Sequence, residues 1–262
     1  MQTQLRAFLM AISLLTRIPV TKYLPQQWRD QELALSALWY PMVGVVIAAF
    51  FICVTLLLPT TVSPWVGAIV LLTSWVVITG ALHLDGVADC VDAMYAAHAV
   101  IPSNDDDHSC REKIFTVLKE PTVGSMAVIA LLLILFLKVI LIASLWPEIG
   151  VSVLFALVVS RSAAVVFIVT TPYARTGGLA SILATDTPKN IAFYISAFIV
   201  GGLFLSLSLI SWLLLLLGLV LLLIVWRRYW IKTLGGFVGD AVGALIEMIE
   251  VWVLLLFYCA SL

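Results

Sequence analysis

The chain has 262 residues, of which 63% are hydrophobic and 11% are charged, and its net charge is −1 at neutral pH. Its mean hydropathy of +1.15 and its low charged fraction exclude an ordinary soluble domain, in which roughly 25% of residues are charged. Without a basic surplus, nucleic-acid binding is not expected. No stretch is polar and long enough to fold separately in water, so we expect a single membrane-embedded domain over residues 1–262, in contact with the lipid bilayer.

The apolar runs predict the transmembrane helices. Residues 5–18 are apolar, but about 20 residues are needed to cross the hydrocarbon core, so this run predicts an interfacial or re-entrant helix. The later runs predict an all-α, polytopic membrane protein with about seven transmembrane helices. The predicted spans are 38–58, 65–82, 122–146, 151–171, 191–209, 212–226 and 241–262.

The loops between these spans differ strongly in charge. If the N-terminus faces the cytoplasm, the loops at about 83–121, 172–190 and 227–240 lie on the same side and contain most of the Lys and Arg residues. The loops on the opposite side contain neither Lys nor Arg and only one acid, Glu148. Since Lys and Arg accumulate in cytoplasmic loops, we expect the N-terminus and these three loops to be cytoplasmic.

The second predicted span ends at an acidic motif, the run His-Leu-Asp-Gly-Val-Ala-Asp-Cys-Val-Asp at 83–92. If this run is helical, Asp85, Asp89 and Asp92 lie on one stripe beside the small Gly86. Carboxylates this close repel one another, and oxygen-only ligands favour Mg²⁺ or Mn²⁺ over zinc. The alternative is a solvated helix start whose acids complement the helix dipole.

A second acidic cluster lies where the last predicted span begins. On a helix, Asp240, Glu247 and Glu250 share one face. Because buried charges in a membrane are costly unless they are paired or bind an ion, we expect Asp240 and Glu247 to complete the metal site. The alternative is a structural role, in which these acids form hydrogen bonds to Arg161 or Lys138 in other spans.

Basic residues on the same predicted side are candidates for binding phosphate. Arg111 and Lys119 precede the third span, and Arg175 follows the fourth. Arg and Lys near a divalent ion commonly hold phosphates, although such residues also bind anionic lipid headgroups. His83 is a candidate metal ligand or acid–base group, or a hydrogen-bonded interfacial imidazole. Together these groups predict phosphoryl or nucleotidyl transfer at the membrane face.

These motifs resemble those of the cobalamin synthase family, the adenosylcobinamide-GDP ribazoletransferases. The resemblance covers nearly the whole chain, and its specific parts are H-x-D-G-x-A-D-x-x-D at 83–92 and G-D-x-x-G-A-x-x-E at 239–247. Glu120 stands where the family usually has Asp, and Val238 where Thr is common. Further matching segments are 15–20, 40–44, 117–124, 172–175 and 234–236.

The resemblance implies a Mg²⁺-dependent enzyme of the bacterial inner membrane. Such an enzyme joins adenosylcobinamide-GDP to α-ribazole, or to its 5′-phosphate, and releases GMP in the last steps of cobalamin biosynthesis. The sequence is also compatible with a homo-oligomer. The expected catalytic residues are His83, Asp85, Asp89 and Asp92; the expected metal ligands are Asp85, Asp89, Asp92, Asp240 and Glu247; and the expected substrate-binding residues are Gly86, Arg111, Lys119, Tyr173 and Arg175.

Within this expected site, two residues have distinct roles. We expect Asp89, in the middle of the stripe, to bridge the metal or to accept the proton of the attacking hydroxyl. We expect His83 to orient the carboxylates, as residues beside metal ligands commonly do.

Two other classes of protein share some of these features. A CDP-alcohol phosphotransferase also uses membrane-helix aspartates and a divalent cation, but its pattern has Ala-Arg after the Asp-Gly and a later Asp-x-x-x-Asp. Here Asp89 follows the alanine, and the next acid comes three residues later. A cation or proton transporter needs polar groups through both halves of the membrane, whereas nearly every acid of this chain lies on the predicted cytoplasmic side.

Overall fold

The computed structural model describes residues 2–25, 29–99, 107–118, 120, 122–175, 177–202 and 207–261. This part of the chain is helical, with no β-strand and with one isolated bridge between Tyr173 and Phe237. The all-α prediction is therefore confirmed. The helices are α1 (Gln2–Leu15), α2 (Asp30–Ser36), α3 (Tyr40–Leu57), α4 (Pro64–Thr79), α5 (Leu82–Ala99), α6 (Asp107–Val117), α7 (Ser125–Ser144), α8 (Ile149–Thr170), α9 (Leu179–Asp186), α10 (Lys189–Gly202), α11 (Leu209–Leu234) and α12 (Gly239–Ala260).

The predicted number of membrane spans is not confirmed by the described residues. Among the described residues, five helical stretches are long and apolar enough to cross a membrane, namely α7, α8, α11, α12 and the stretch formed by α2 and α3. A sixth candidate consists of α4 and α5 together, although these two helices meet at 83°. In the fifth predicted span, the described residues consist mainly of the short apolar helix α10.

The helix α11 also differs from its prediction. Hydropathy predicted a short span at 212–226 and a loop at 227–240, but α11 continues to Leu234 and is 26 residues long. The basic residues end the apolar run without ending the helix, and Arg227 Nε donates a hydrogen bond to the carbonyl oxygen of Thr170 at 3.0 Å. The helix stops at Gly235, whose φ of 78° is the left-handed conformation that favours glycine at helix ends.

The helix α8 forms the centre of the bundle. Almost all of its residues are buried, and it packs against α3, α10 and α12. The contact with α3 is close, since a Cβ atom on Gly44 would lie 2.7 Å from the carbonyl oxygen of Leu157. By contrast, α7 and α11 expose rows of large apolar side chains, such as Leu133, Phe136 and Leu217, as expected for helices that contact lipid.

The polar ends of several helices meet at one end of the bundle, which we call the polar face. It contains the start of α5, the N-termini of α7 and α12, and the C-terminus of α8. The predicted loops 83–121 and 172–190 belong to this face but are partly helical, since they contain α5, α6 and α9.

Candidate active site

The acidic motif forms the first turns of α5, which confirms the predicted helix at 85–92. Asp85 lies in the first turn of this helix, and Asp89 and Asp92 follow it on the same stripe. The chain reaches α5 through a sharp turn at Gly80 and Ala81, whose φ values of 63° and 58° are both left-handed. This turn redirects the chain from α4 and places the carboxylates at the polar face.

Two glycines allow α5 to pack closely against the start of α12. A Cβ atom on Gly86 would lie 2.6 Å from the carbonyl oxygen of Asp240, and one on Gly243 would lie 3.2 Å from the Cα atom of His83. These pairs show that the two helices are antiparallel. As a result, Asp89 lies beyond the N-terminus of α12, while Asp240 lies in the first turn of α12.

The third carboxylate of the stripe contacts a different helix. Asp92 Oδ2 accepts a hydrogen bond of 2.8 Å from the backbone N–H of Gly124, the residue that precedes α7. A Cβ atom on Gly124 would collide with the same carboxylate. The acidic stripe therefore lies at the N-termini of both α7 and α12, where the helix dipoles favour negative charge.

The carboxylates at this position influence one another strongly. Asp89 is partly buried, and the like charges of Asp240, Asp85 and Asp92 all act on it. The charge of Arg175 has the opposite sign but does not cancel these effects. We call Asp85, Asp89, Asp92 and Asp240 the acidic site. Four like charges with incomplete compensation are the arrangement that a bound cation relieves.

A short backbone pairing brings Arg175 to the acidic site. Ala174 N donates to the carbonyl oxygen of Phe237 at 2.9 Å, and Phe237 N donates to that of Pro172 at 2.8 Å. Gly236 is needed at this crossing, since a Cβ atom there would collide with the carbonyl oxygen of Pro172. The pairing joins the segment after α8 to the connection between α11 and α12.

The guanidinium of Arg175 is held in place but has unused donors. Its Cζ atom lies over the ring of Phe115, 5.4 Å from the centroid, a distance typical of a cation–π contact. Its Nε and Nη2 atoms are buried and have no hydrogen-bond partner among the described residues. The site therefore contains a fixed cation whose donors are available to an anion.

Of the other predicted substrate-binding residues, Tyr173 and Arg111 lie near the connection between α11 and α12. The ring of Tyr173 packs edge-on against Phe237, 5.4 Å between centroids. The guanidinium of Arg111 lies beside Gly235, in the same connection between α11 and α12. Both therefore belong to the polar face. Lys119 lies outside the described residues, so its role stays a prediction.

The glutamates of α12 have a separate environment. Lys138 Nζ in α7 bonds to Glu247 Oε2 at 2.6 Å and to Glu250 Oε2 at 2.5 Å, and Arg161 in α8 bonds to Glu250 Oε1. All four side chains are buried, and Lys138 also lies 4.6 Å from the ring centroid of Trp75. We call these four residues the ion cluster. The structure thus places the carboxylate of Glu247 beside Lys138 and not beside the aspartates. This position agrees with the alternative in which Glu247 has a structural role.

The acidic site has the oxygen ligands that a hard cation prefers. Its side chains, however, are not arranged around a common point. Among the residues that the structure describes, no three His, Cys, Asp or Glu side chains are close enough together to hold a metal ion as they stand. The donors that line the stripe are all carboxylate oxygens, the ligands that Mg²⁺ prefers. Binding would require side-chain rotation at the acidic site, and the metal prediction stays a prediction.

His83 lies within the α5–α12 contact, where its backbone packs against Gly243. Its side chain is buried, and neither ring nitrogen has a hydrogen-bond partner in the described part of the chain. Together with Asp240 it lines a cavity of about 240 Å³. This cavity could not be predicted from the sequence, because its other walls come from helices distant in the chain. Phe115 and Phe237 were also missed, and only the Gly-Gly pair before Phe237 indicated a close backbone contact there.

Comparison with known proteins identifies relatives over the full length of the chain. A family model described as Cobalamin-5-phosphate synthase matches residues 7–258. A Pseudomonas putida protein named adenosylcobinamide-GDP ribazoletransferase is 35% identical over 257 residues, which are 95% of this chain and 96% of that protein. A Pseudomonas aeruginosa protein of the same name is 35% identical over 257 residues, 97% of this chain and 98% of its own length. No solved structure matches the chain.

Proposed function

Because this chain belongs to the cobalamin-5-phosphate synthase family, we propose that it uses adenosylcobinamide-GDP and α-ribazole to complete cobalamin synthesis. In this reaction a ribose hydroxyl of α-ribazole attacks the phosphorus that bears the cobinamide. A new P–O bond forms, the P–O bond of the pyrophosphate breaks, the hydroxyl proton is lost, and GMP leaves. The shared name of the relatives favours this reaction over a CDP-alcohol phosphotransferase or a transporter.

The observation that carries the proposal is the juxtaposition of the acidic site and Arg175. Four carboxylates alone would repel a pyrophosphate, so a cation must lie between them and the substrate. We propose that Asp85, Asp89, Asp92 and Asp240 hold Mg²⁺. When bound, it would neutralise the pyrophosphate and favour in-line displacement. Glu247 is left out of this proposed set, since its carboxylate is already bonded to Lys138.

Arg175 is the proposed anchor for the pyrophosphate. Its buried Nε and Nη2 atoms lack partners in the described structure, and a guanidinium can donate two parallel hydrogen bonds to phosphate oxygens. The ring of Phe115 limits the movement of the side chain. The anchor would therefore fix the leaving GMP relative to the acidic site.

Proton transfer is assigned to the acidic site rather than to His83. Asp89 lies at the centre of the stripe and is the proposed residue that bridges the metal or accepts the proton. His83 is only 2% exposed, and it lies against the backbone of Gly243. That position supports a role in orienting the start of α5, with no direct contact to the reacting oxygen.

We also propose that the polar face is the cytoplasmic face of a bacterial inner membrane. The described basic residues of the polar face support this orientation, because Arg and Lys are enriched in cytoplasmic segments. They include Arg175, Arg111 beside Gly235, and Arg227, which bonds to the end of α8.

The proposal is tested by measuring GMP release from the purified protein in detergent. Adenosylcobinamide-GDP, α-ribazole and Mg²⁺ together should give GMP and adenosylcobalamin in equal amounts, and EDTA should stop the reaction. The matched control omits α-ribazole. GMP formed without the acceptor would indicate hydrolysis and would contradict the proposed transfer, as would the absence of GMP under all conditions. Replacing α-ribazole by its 5′-phosphate identifies the preferred acceptor.

A further inference from the structure

The cavity beside the acidic site is apolar apart from a few groups. Its volume is about 240 Å³, and its walls come from α1, α3, α8, α9 and α12 and from the start of α5. Leu14, Ile168 and Leu183 are typical of the lining, and the exceptions are Tyr40, His83 and Asp240. Tyr40 is itself engaged with Ser36. The cavity therefore offers a ligand apolar walls and the unpartnered imidazole of His83.

The size of the cavity restricts its occupant. Sites for drug-sized ligands measure roughly 300 to 1,000 Å³, so this cavity suits a single flat ring system. A corrinoid is far too large. A guanine base would bring several donors and acceptors into walls that could not satisfy them, and unpaired buried polar groups weaken binding.

The cavity is adjacent to the acidic site, where the reaction is proposed to occur. Asp240 and Gly239 line it, and the charge of Asp240 acts on Asp89, so one residue belongs to both the cavity and the acidic site. A base bound in the cavity would carry its ribose toward the carboxylates. The acceptor is the substrate that must present a ribose hydroxyl there.

We propose that this cavity is the subsite for the benzimidazole base of the acceptor, with His83 as the group that recognises its ring nitrogen. The inference rests on the proposed function and adds the position of one substrate. A benzimidazole riboside has one free ring nitrogen, which accepts a hydrogen bond from an imidazole N–H. That bond would satisfy one of the two buried nitrogens of His83, and the apolar walls would cover the rest of the base.

The test changes the size of the cavity and measures the preference between two acceptors. Ala180 lines the cavity from α9, so Ala180→Phe should narrow it. The acceptors are α-ribazole and the same riboside without the two methyl groups on the base. We expect kcat/KM for α-ribazole, relative to the smaller acceptor, to fall about tenfold or more, the usual effect of one or two methyl groups in a pocket. The KM for adenosylcobinamide-GDP should be unchanged.

A second variant and a matched control guard against misfolding. Leu183→Ala enlarges the same cavity and should shift the preference in the opposite direction, toward acceptors with a bulkier base. Thr185→Phe, at an exposed position of the same helix, should leave the preference unchanged. A His83→Gln variant should retain part of the affinity for α-ribazole that His83→Leu loses, since glutamine can still donate a hydrogen bond.

The possible outcomes separate this inference from the proposed function. If the unaltered protein releases GMP but neither cavity variant changes the preference, the inference is overturned and the function stands. If the variants instead change the amount of phospholipid that copurifies, with no change in preference, the cavity holds a lipid chain and the inference is again overturned. Absence of GMP release by the unaltered protein would overturn both.

Discussion

The ion cluster and the acidic site are each built from four charged side chains, but they differ in the balance of positive and negative charge. Lys138, Arg161, Glu247 and Glu250 contribute two charges of each sign, are buried, and bond directly to one another. The acidic site contributes four negative charges at the ends of α7 and α12, and Arg175 compensates them only in part.

The difference indicates which charges are structural and which are functional. Charged groups inside a membrane protein are costly unless they are paired, and the ion cluster meets this need with the chain's own residues while joining α7, α8 and α12. The acidic site is compensated only in part, as we expect of a site that binds a cation. We therefore expect substitutions in the two regions to affect different properties.

The largest effect on stability is expected in the ion cluster. Glu250 bonds to both Lys138 and Arg161, so Glu250→Gln would leave two buried cations with one carboxylate. Removing one partner from a buried ion pair costs about 3 to 5 kcal/mol, and unfolding of the purified protein in detergent should show a loss of this size. Glu148→Gln, at an exposed acid, is the control. A loss below about 1 kcal/mol would mean that the cluster contributes little to stability.

The opposite behaviour is expected in the acidic site. Asp85→Asn, Asp89→Asn or Asp92→Asn should reduce GMP release by roughly 100- to 1,000-fold, the scale observed when a group that stabilises transition-state charge is lost. Stability should be unchanged or higher for Asp85 and Asp89, because each change removes repulsion between like charges. The control is Asp186→Asn, at the exposed end of α9. Full activity in any two of the three variants would refute the assignment of the metal site.

Much of this contrast was visible in the sequence, because it depends on local spacing. The period of an α-helix is enough to place Asp85, Asp89 and Asp92 on one stripe, and the same period aligns Glu247 with Glu250. The sequence could not decide between a metal and an ion pair for Glu247. That choice depends on Lys138, more than a hundred positions away, and on how α7 packs against α12.

The errors in the fold have a related cause. Hydropathy predicts where a helix can contact lipid, but it does not predict where the helix ends. A helix can continue past its apolar run when its polar side chains find hydrogen-bond partners. For this reason α11 extends past Arg227, which bonds to the end of α8, and its predicted end was wrong by eight residues. The pairing that brings Arg175 to the acidic site could not be predicted either, because it joins two irregular segments with no sequence pattern in common.

A smaller effect on activity is expected at the residue that partly compensates the acidic site. Arg175→Gln should weaken the capture of adenosylcobinamide-GDP by about tenfold or more, since charge-assisted hydrogen bonds contribute roughly 1.5 to 3 kcal/mol. Equilibrium binding of that substrate in the presence of Mg²⁺ measures the change. Arg228→Gln, at an exposed arginine in α11, is the matched control. Equal effects of both variants would show that Arg175 acts through lipid headgroups or general charge.

The smallest effect should come from a double substitution that keeps the ion cluster balanced. Lys138→Met alone would leave Glu247 and Glu250 with a single cation, Arg161, and should destabilise the protein strongly. Adding Glu247→Met removes the excess negative charge and leaves the pair of Arg161 with Glu250. Replacing a buried ion pair with apolar side chains of similar size is often nearly neutral, so the double variant should unfold within about 1.5 kcal/mol of the unaltered protein.

The same double variant decides what Glu247 does. If its carboxylate serves only the ion cluster, the balanced variant should release GMP at a rate similar to that of the unaltered protein and require the same concentration of Mg²⁺. If Glu247 also holds the metal, the balanced variant should be stable but inactive, or should need far more Mg²⁺, because one oxygen ligand would be missing. Measuring GMP release over a Mg²⁺ titration distinguishes these results. The second result would join the two regions into one site and refute their separation into a structural and a functional cluster.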